Sequence, residues 1–349
     1  MKRWGWAVLA LALTSGMPAQ TMDTGVLPVA TIKLGKASSL VTQKTFRDAG
    51  AARETATGAK MDLAAKQALL QDLVASELIK MDMDAQGIKV TDDELIKNFR
   101  AANPGMADAQ IKAEVEKQSG QTWDVATINI KRQIANNKYF SQFPAFADLG
   151  KLNVSESEVK EFYDANTALF TAPDFVRVSH IFFDTKVKPK GTLAEIQKRA
   201  QDTLQKITSG QATFEEMATS VSEDASSAKL NGDIGYIPRT LDSQAGQQLT
   251  ALFGKDFLIA LFALKKGDVS TVLTSNAGLH IVRITSKIDK HFMTLDEDVY
   301  PGKDSTTVRT AIQQTLLQRK QMTAQNKLVS DVADGLRAKA TIKTFEQNF

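Results

Sequence analysis

The C-terminal segment of the chain carries one apolar stripe that is too long to be left uncovered. In "TTVRTAIQQTLLQRKQMTAQNKLVSDVADGLRAKATIKTF" the apolar residues recur at helical spacing and share one face: Val308, Ile312, Leu316, Leu328, Val332 and Leu336. An apolar helical face is stable only when it packs against another element. We therefore expect this long helix to fold back onto the N-terminal region, so that the sequence between them forms an inserted domain.

The N-terminal region is also predicted to be helical. The segment "MDLAAKQALLQDLVASELIKMDMDAQGI" has an apolar stripe from Leu63 to Ala85, and Gly87 ends it. Thr91 precedes a glutamate by three residues, which is the capping-box pattern of a helix start. Another helix is predicted over Trp123 to Phe140, and "VATIKL" before these helices is a short strand candidate.

The first twenty residues, "MKRWGWAVLALALTSGMPAQ", are typical of a secretory signal peptide. Lys2 and Arg3 precede an apolar run that is too short to span a bilayer, and small residues follow it. Removing these two charges from the net +3 leaves about +1, without the basic stripe that a nucleic-acid-binding protein needs. The chain has no cysteine, so disulfides, thiol catalysis and a lipid-modified cysteine are excluded. We expect a periplasmic or otherwise exported protein with no stable membrane insertion after the signal is removed.

From Pro173 onwards the pattern changes to that of a compact α+β domain. The strand "VRVSHIFF" is followed by a helix that begins with the capping box Thr192–Glu195 and ends near Gly210. A second helix begins with Thr213–Glu216, and later come a short helix around "KDFLIALFALKKG" and the strands "VSTVLTS" and "GLHIVRI". The predicted order is β-α-α-β-α-β-β.

Two of the three histidines in the chain are candidates for the chemistry of this domain. His180 lies in the first strand among apolar residues, and His280 lies in the last strand on the same face as Val282 and Ile284. Both imidazoles would then point to one side of the sheet, where they could hold each other's tautomers. Two unrelated core histidines remain an open alternative. Asp224, in "SEDASSAKLNGDIGY", could accept a hydrogen bond from an imidazole or only cap a turn.

Four sequence blocks, "VSHIFF", "FEEMATSVSEDASSAKLNGDIGY", "LFALKKGDVS" and "GLHIV", resemble in order and spacing those of parvulin-type peptidyl-prolyl cis/trans isomerases. The flanking regions resemble the helical chaperone domains of the exported SurA/PrsA group. The resemblance implies an α+β parvulin domain, with a four-stranded antiparallel sheet and surrounding helices, inserted in an all-α chaperone domain built from the N- and C-terminal segments. The expected limits are 1–20 for the signal peptide and 21–172 for the N-terminal helical chaperone domain. The parvulin-type domain is expected over 173–290, and the C-terminal helix that packs on the N-terminal domain over 305–349.

The resemblance also assigns roles to residues. It implies that His180, His280 and Asp224 are the catalytic residues. The substrate-binding residues that it implies are the three phenylalanines of the cup for the prolyl ring, Phe253, Phe257 and Phe262, together with Ser275 at a hydroxyl position of the family. Asn231 departs from the family, which often has glycine there. Lys186, Lys188 and Lys190 stand in the loop where the phospho-specific members have arginines, and we interpret them as solvated.

The activity implied by the resemblance is rotation about X–Pro bonds without a covalent intermediate, a metal or another cofactor. The barrier is about 20 kcal/mol because rotation breaks amide resonance, and an apolar pocket with fixed polar groups favours the twisted state. The expected partners are unfolded or partly folded exported polypeptides with proline-containing segments, and no nucleic acid. The alternative is a holdase with a weak or vestigial isomerase site. A metal-dependent hydrolase is disfavoured because the chain has no HExxH motif.

Overall fold

The computed structural model describes residues 27–240, 244–302 and 306–349, so the predicted signal peptide lies outside the described residues. The chain forms two compact units. The first unit contains the described residues up to Asn153 together with Leu317–Phe349, and the second unit is Val154–Leu316.

Strands and helices are interspersed along the chain. The strands are β1 (Pro28–Leu34), β2 (Ala37–Thr42), β3 (Thr171–Ala172), β4 (Phe175–Asp184), β5 (Asp233–Pro238), β6 (Leu273–Thr274), β7 (Gly278–Ile288), β8 (His291–Phe292) and β9 (Ala340–Thr344). The helices are α1 (Gln43–Thr57), α2 (Leu63–Ala85), α3 (Asp92–Ala102), α4 (Asp108–Ser119), α5 (Trp123–Phe140), α6 (Pro144–Leu149), α7 (Glu156–Ala165), α8 (Leu193–Thr208), α9 (Phe214–Val221), α10 (Ala225–Ala228), α11 (Gln244–Phe253), α12 (Lys255–Ala263) and α13 (Val308–Arg337).

The C-terminal half of α13 packs into the core of the first unit, as the apolar stripe predicted. Leu328, Val332 and Leu336 are buried in one cluster with residues of α2 and β1, such as Leu78 and Ile32. Neither segment could bury its apolar face alone, and together they enclose a single core. The first unit is therefore built from both ends of the chain, with the second unit inserted between them.

Two details of the first unit differ from the prediction. The helix was predicted to continue through Phe345, but it ends at Arg337, and Ala340–Thr344 forms strand β9. The domain was predicted to be all-α, but it also contains an antiparallel sheet in the order β2-β1-β9. Ile342 pairs with Ile32 across this sheet, so β9 supplies the second hydrogen-bonding partner that β1 needs.

The second unit contains the predicted four-stranded antiparallel sheet, in the order β5-β4-β7-β6. One face packs on α8 and α9 through residues such as Ile181 and Ile281. The other face packs on α12 through residues such as Val178 and Val282. Because side chains alternate along a strand, His180 and His280 lie on the face that α12 covers.

The compact units divide at positions that differ from the limits expected from the sequence. The second unit begins at Val154 and ends at Leu316 because α7 and the start of α13 share a small core, to which Val159, Phe175 and Val308 contribute. The limits 21–172, 173–290 and 305–349 stay a prediction about the functional domains.

Candidate functional site

The two histidine rings meet in the middle of the second unit. β4 and β7 are antiparallel neighbours, and their register places Phe182 opposite His280 and His180 opposite Val282. Nδ1 of His180 lies 3.2 Å from Nδ1 of His280, and only 6% and 2% of these residues are exposed. The structure thus brings together two residues that are one hundred positions apart, which excludes the alternative of two unrelated core histidines.

Asp224 serves both functions that its sequence position suggested. One carboxylate oxygen, Oδ2, lies 3.0 Å from Nε2 of His180. The other, Oδ1, accepts the backbone N–H of Ser226 at 3.1 Å, because Asp224 is the N-cap residue of α10. The cap fixes the carboxylate in the orientation that the imidazole needs.

Ser275 lies next to His280, at the other end of the histidine pair from Asp224. Its hydroxyl Oγ lies 2.7 Å from Nε2 of His280. The same oxygen accepts the backbone N–H groups of Ala277 at 3.0 Å and Gly278 at 3.2 Å, in the turn between β6 and β7. The hydroxyl proton has two acceptors within reach, Nε2 of His280 at 2.7 Å and the carbonyl oxygen of Gly278 at 3.3 Å, and the imidazole is the nearer one.

These contacts allow one consistent set of protons. An ionised carboxylate can only accept, so Nε2 of His180 carries its proton and donates to Asp224. Nδ1 of His180 is then bare and accepts from Nδ1–H of His280, and the bare Nε2 of His280 accepts from the hydroxyl of Ser275. The chain Asp224–His180–His280–Ser275 satisfies each of its ring nitrogens.

Burial and hydrogen bonding keep the two imidazoles of this hydrogen-bonded series neutral and the Asp224 carboxylate ionised. Burial, together with the neighbouring His180, lowers the pKa of His280 to about 3. Burial also lowers the pKa of His180, because it outweighs the opposing effect of the Asp224 carboxylate. Burial tends to raise the pKa of Asp224, but hydrogen bonds from Ser227, Ser226 and His180 hold it well below its usual value. At neutral pH both imidazoles are neutral and the carboxylate is ionised.

Aromatic rings enclose the histidine pair on its apolar side. The ring centroids of Phe257 and Phe182 lie 5.0 and 4.9 Å from that of His280. Phe253 stacks on Phe257 with 5.1 Å between the ring centroids, and its ring centroid lies 6.2 Å from that of His280. Three phenylalanine rings and two neutral imidazoles thus form one apolar wall.

Phe262 does not lie beside the histidines. It packs against the apolar layer under α12, and the guanidinium of Arg239 lies over its ring at 5.8 Å. It follows Phe257 by five residues, which is a rotation of about 140° around a helix. The prediction that Phe262 binds substrate is therefore without support from the geometry, whereas Phe253, Phe257 and Ser275 lie at the site.

The sequence prediction missed two residues at the site. Ser227 Oγ lies 3.0 Å from Nε2 of His180 and shares that nitrogen with Asp224. Phe182 packs on His280. The signals were present, because Ser227 is one helical turn beyond Asp224 and Phe182 has the same strand parity as His180.

The loop that carries Asp224 returns to the sheet through Asn231 and Gly232. Asn231 has φ 55° and Gly232 has φ 84°, and asparagine is one of the few side chains that tolerate the left-handed region. A Cβ on Gly232 would lie 2.5 Å from the carbonyl oxygen of His180. The departure from glycine at 231 is thus accommodated, whereas glycine at 232 is required by the close approach to His180.

The lysines of the loop after β4 are exposed, in agreement with the interpretation that they are solvated. The Asp184 carboxylate accepts the backbone N–H groups of Lys186, Val187 and Lys188 at 2.7, 2.8 and 2.8 Å. The loop backbone is therefore held by hydrogen bonds, while the three lysines are exposed and Nζ of Lys190 lies 3.9 Å from Oε1 of Glu223.

Other features of the described residues do not offer a competing site. A cavity of about 420 Å³ lies on the sheet of the first unit and is lined by residues such as Leu40, Lys33 and Lys343, without a histidine or a carboxylate. Within residues 27–240, 244–302 and 306–349, no cluster of histidine and acidic side chains is arranged to hold a metal ion. In the same ranges, no helix combines the length and the apolar character needed to cross a bilayer.

Comparisons with known proteins identify the family of the second unit. Residues 154–298 match the family described as the PPIC-type PPIASE domain. The chain is 26% identical over 291 residues to "Foldase protein PrsA" of Clostridium botulinum, covering 81% of this chain and 74% of that protein. It is 25% identical over 268 residues to "Foldase protein PrsA" of Clostridium acetobutylicum, covering 75% and 69%. A solved structure described as a SurA-like chaperone of Campylobacter jejuni is 19% identical and covers 85% of this chain and 94% of that one, but its TM-score of 0.34 is too low to carry an argument.

Proposed function

We propose that this chain, whose residues 154–298 form a parvulin domain of the PPIC type, is an exported foldase that rotates X–Pro bonds at the His180–His280 site and holds unfolded polypeptides. The chain is a peptidyl-prolyl cis-trans isomerase with chaperone function. The observation that carries the assignment of the site is the chain Asp224–His180–His280–Ser275 beside the rings of Phe253 and Phe257.

The apolar wall provides the binding energy for the prolyl ring. A pyrrolidine ring placed against Phe253 and Phe257 is removed from water, and burial of apolar surface contributes about 25 cal/mol per Å². The amide that is to rotate is then held at the edge of this wall. Dehydration there disfavours the planar state, because that state has the more polar carbonyl and gains more from hydration.

The polar chain provides a fixed electrostatic environment for the twisting amide. Asp224 is the most accessible member, with 27% of its side chain exposed against 7% for His180. In planar amides the oxygen carries part of a negative charge by resonance. We assign Asp224 to the side of that oxygen, where its charge disfavours the resonance form and so favours rotation. His180, His280 and Ser275 hold the carboxylate in place without becoming charged.

The first unit supplies the holding function in this proposal. Large apolar side chains such as Leu63, Val125 and Ile128 have 60%, 51% and 52% of their surface exposed. Exposed apolar groups of this kind can hold unfolded segments weakly. Export is supported by the signal-like sequence of residues 1–20, and the relatives named as foldases support unfolded proteins as substrates.

Replacing His280 with alanine tests this proposal. We expect the rate of isomerisation of a short X–Pro peptide to fall by about 100-fold, because the chain that orients Asp224 loses its central donor. Suppression of the aggregation of a denatured client by the same full-length protein is expected to stay within about twofold of wild type, because the first unit is unchanged. Exchange NMR of the peptide and light scattering of the client measure the two activities.

His291→Ala is the matched control, because this third histidine lies on β8 and pairs with Glu297 away from the site. It should change neither activity. If the wild type suppresses aggregation but does not accelerate the peptide, the protein is a holdase and the assignment of the isomerase site is wrong. If His280→Ala loses both activities, the more conservative His280→Gln separates a lost site from a damaged fold, since glutamine keeps a donor and most of the volume.

A further inference from the structure

The turn between β6 and β7 has two polar side chains with different partners. Ser275 begins the turn, and its backbone N–H donates to the carbonyl of Gly278 at 2.8 Å while its hydroxyl lies against His280. The next residue, Asn276, makes no contact with the histidines. Its side-chain amide nitrogen donates instead to the carbonyl oxygen of Ala251 at 2.9 Å and lies 3.4 Å from that of Thr250.

These carbonyl groups belong to the last turn of α11, Gln244–Phe253. The carbonyl of Thr250 already accepts the backbone N–H of Gly254 at 2.8 Å, whereas the carbonyl of Ala251 is one of the last of the helix, and these have no partner within it. A side-chain donor to Ala251 therefore stabilises the helix end and fixes its position. Phe253 is the last residue of α11, and its ring stacks on Phe257 and lies near His280. Asn276 thus connects the helix that carries Phe253 to the turn that carries Ser275.

Gly254 makes this connection possible. Its φ of 85° lies in the left-handed region and lets the chain pass directly from α11 to α12, so that Phe253 and Phe257 can stack. A Cβ at Gly254 would lie 3.5 Å from Oδ1 of Asn276, so the asparagine side chain packs closely over the junction.

We propose that Asn276 is a positioning residue of the proline site, which rests on the proposed function. Its amide holds the end of α11 so that Phe253 stays against Phe257 and the apolar wall is formed before the substrate binds. It touches neither the reacting amide nor the histidines. Its loss should therefore weaken the binding of proline-containing peptides and leave the rotation step of the bound peptide largely intact.

Asn276→Asp is the sharpest test, because the carboxylate has the same shape but cannot donate and repels the negative end of a helix. We expect KM for an X–Pro peptide to rise by about tenfold, the effect of one hydrogen bond, with kcat within about threefold of wild type. In Asn276→Gln the amide donor is kept, and KM should return to within about threefold of wild type. Nuclear Overhauser contacts between the rings of Phe253 and Phe257 should weaken in the aspartate variant.

Asn166→Asp is the matched control in the same unit. The amide of Asn166 donates to the carbonyl of Phe162 at 2.8 Å at the end of α7, so the same substitution removes the same kind of bond away from the histidines. KM and kcat should stay unchanged in this variant. If Asn276→Asp does not fold, Asn276→Ala removes the donor without adding a charge and takes its place.

An unchanged KM in Asn276→Asp, a fall in kcat alone, or an equal rise of KM in Asn166→Asp would overturn the inference and leave the isomerase assignment standing. An inactive wild type would overturn the proposed function, and the inference with it. The two failures are therefore distinguishable in one set of measurements.

Discussion

Replacing Gly278 with alanine is expected to destabilise the second unit by about 3 kcal/mol or more and to remove the isomerase activity. Gly278 is the first residue of β7 and pairs with Asp184 at the end of β4. A Cβ at this position would overlap the carbonyl oxygen of Phe183 and lie 2.8 Å from Cε2 of Phe182. The clash is mainly with backbone, so it can be relieved only by moving β4 and β7 apart, and these strands hold the two histidines together.

Hydrogen exchange of the full-length protein measures this effect by unit. Amides of β4 and β7 should lose protection in Gly278→Ala. The fluorescence of Trp123, which is buried in the first unit, should keep its unfolding midpoint if the first unit is unaffected. The control is Gly335→Ala in α13, where an added Cβ meets nothing within 4 Å and helix propensity favours alanine by about 1 kcal/mol. Unchanged protection of β4 and β7 in Gly278→Ala would contradict the prediction.

Acidification is expected to destabilise the second unit at pH values where most proteins are stable, and to inactivate the folded enzyme at a lower pH. The folded state holds His280 neutral, with a pKa of about 3, and also lowers the pKa of His180. An unfolded histidine has a pKa of about 6.5, so below this pH the unfolded state binds more protons and the free energy of unfolding falls. For His280 alone, the loss between pH 7 and pH 5 is about 2 kcal/mol.

Activity should follow the protonation of the same pair. Once His280 is protonated, Nε2 can no longer accept from Ser275, and the second charge beside His180 opposes the contact between the rings. We expect kcat/KM to stay nearly constant from pH 8 down to the acid range in which the folded pair takes up protons, which for His280 is near pH 3. Urea unfolding followed by hydrogen exchange, and peptide isomerisation, are measured from pH 3 to pH 8.

His291 provides an internal comparison with the opposite sign. Hydrogen bonds to the Asp289 carbonyl and the Glu297 carboxylate raise its pKa, so its contribution to stability is present at acid pH and is lost as the pH rises through its folded pKa. Measurements in the His291→Ala background therefore isolate the buried pair. A free energy of unfolding that does not fall between pH 7 and pH 5 in that background would rule out neutral, buried imidazoles.

The helix starts were predictable because they depend on hydrogen bonds within one turn. The Thr192–Glu195 and Thr213–Glu216 boxes both close reciprocally at the first turns of α8 and α9. At Thr91 only half of the pattern forms, because the carboxylate of Glu94 is held by Lys138, forty-four residues away. The same local pattern therefore has a different outcome where a distant cation competes for the carboxylate.

The candidate site was predictable in its composition but not in its full geometry. Strand parity placed His180 and His280 on one face, and family resemblance supplied Asp224, Phe253, Phe257 and Ser275. The role of Phe262 stays a prediction that the geometry does not support, since the direction of its side chain depends on how α12 is rotated against the sheet. The contact of Asn276 with the end of α11 could not be predicted, because no local pattern links a turn residue to a helix end twenty-five positions earlier.

The amino-acid sequence alone determined the capped helix starts, the alternation of the strands, most residues of the site and the return of the C-terminal half of the last helix to the first unit. The tertiary structure decided the register of β4 against β7, the pairing of β9 with β1 and the orientation of the rings around His280. The physical reason is the range of the interactions. Caps and apolar stripes are satisfied within a few residues, whereas register and ring orientation result from many weak contacts between segments far apart in the chain.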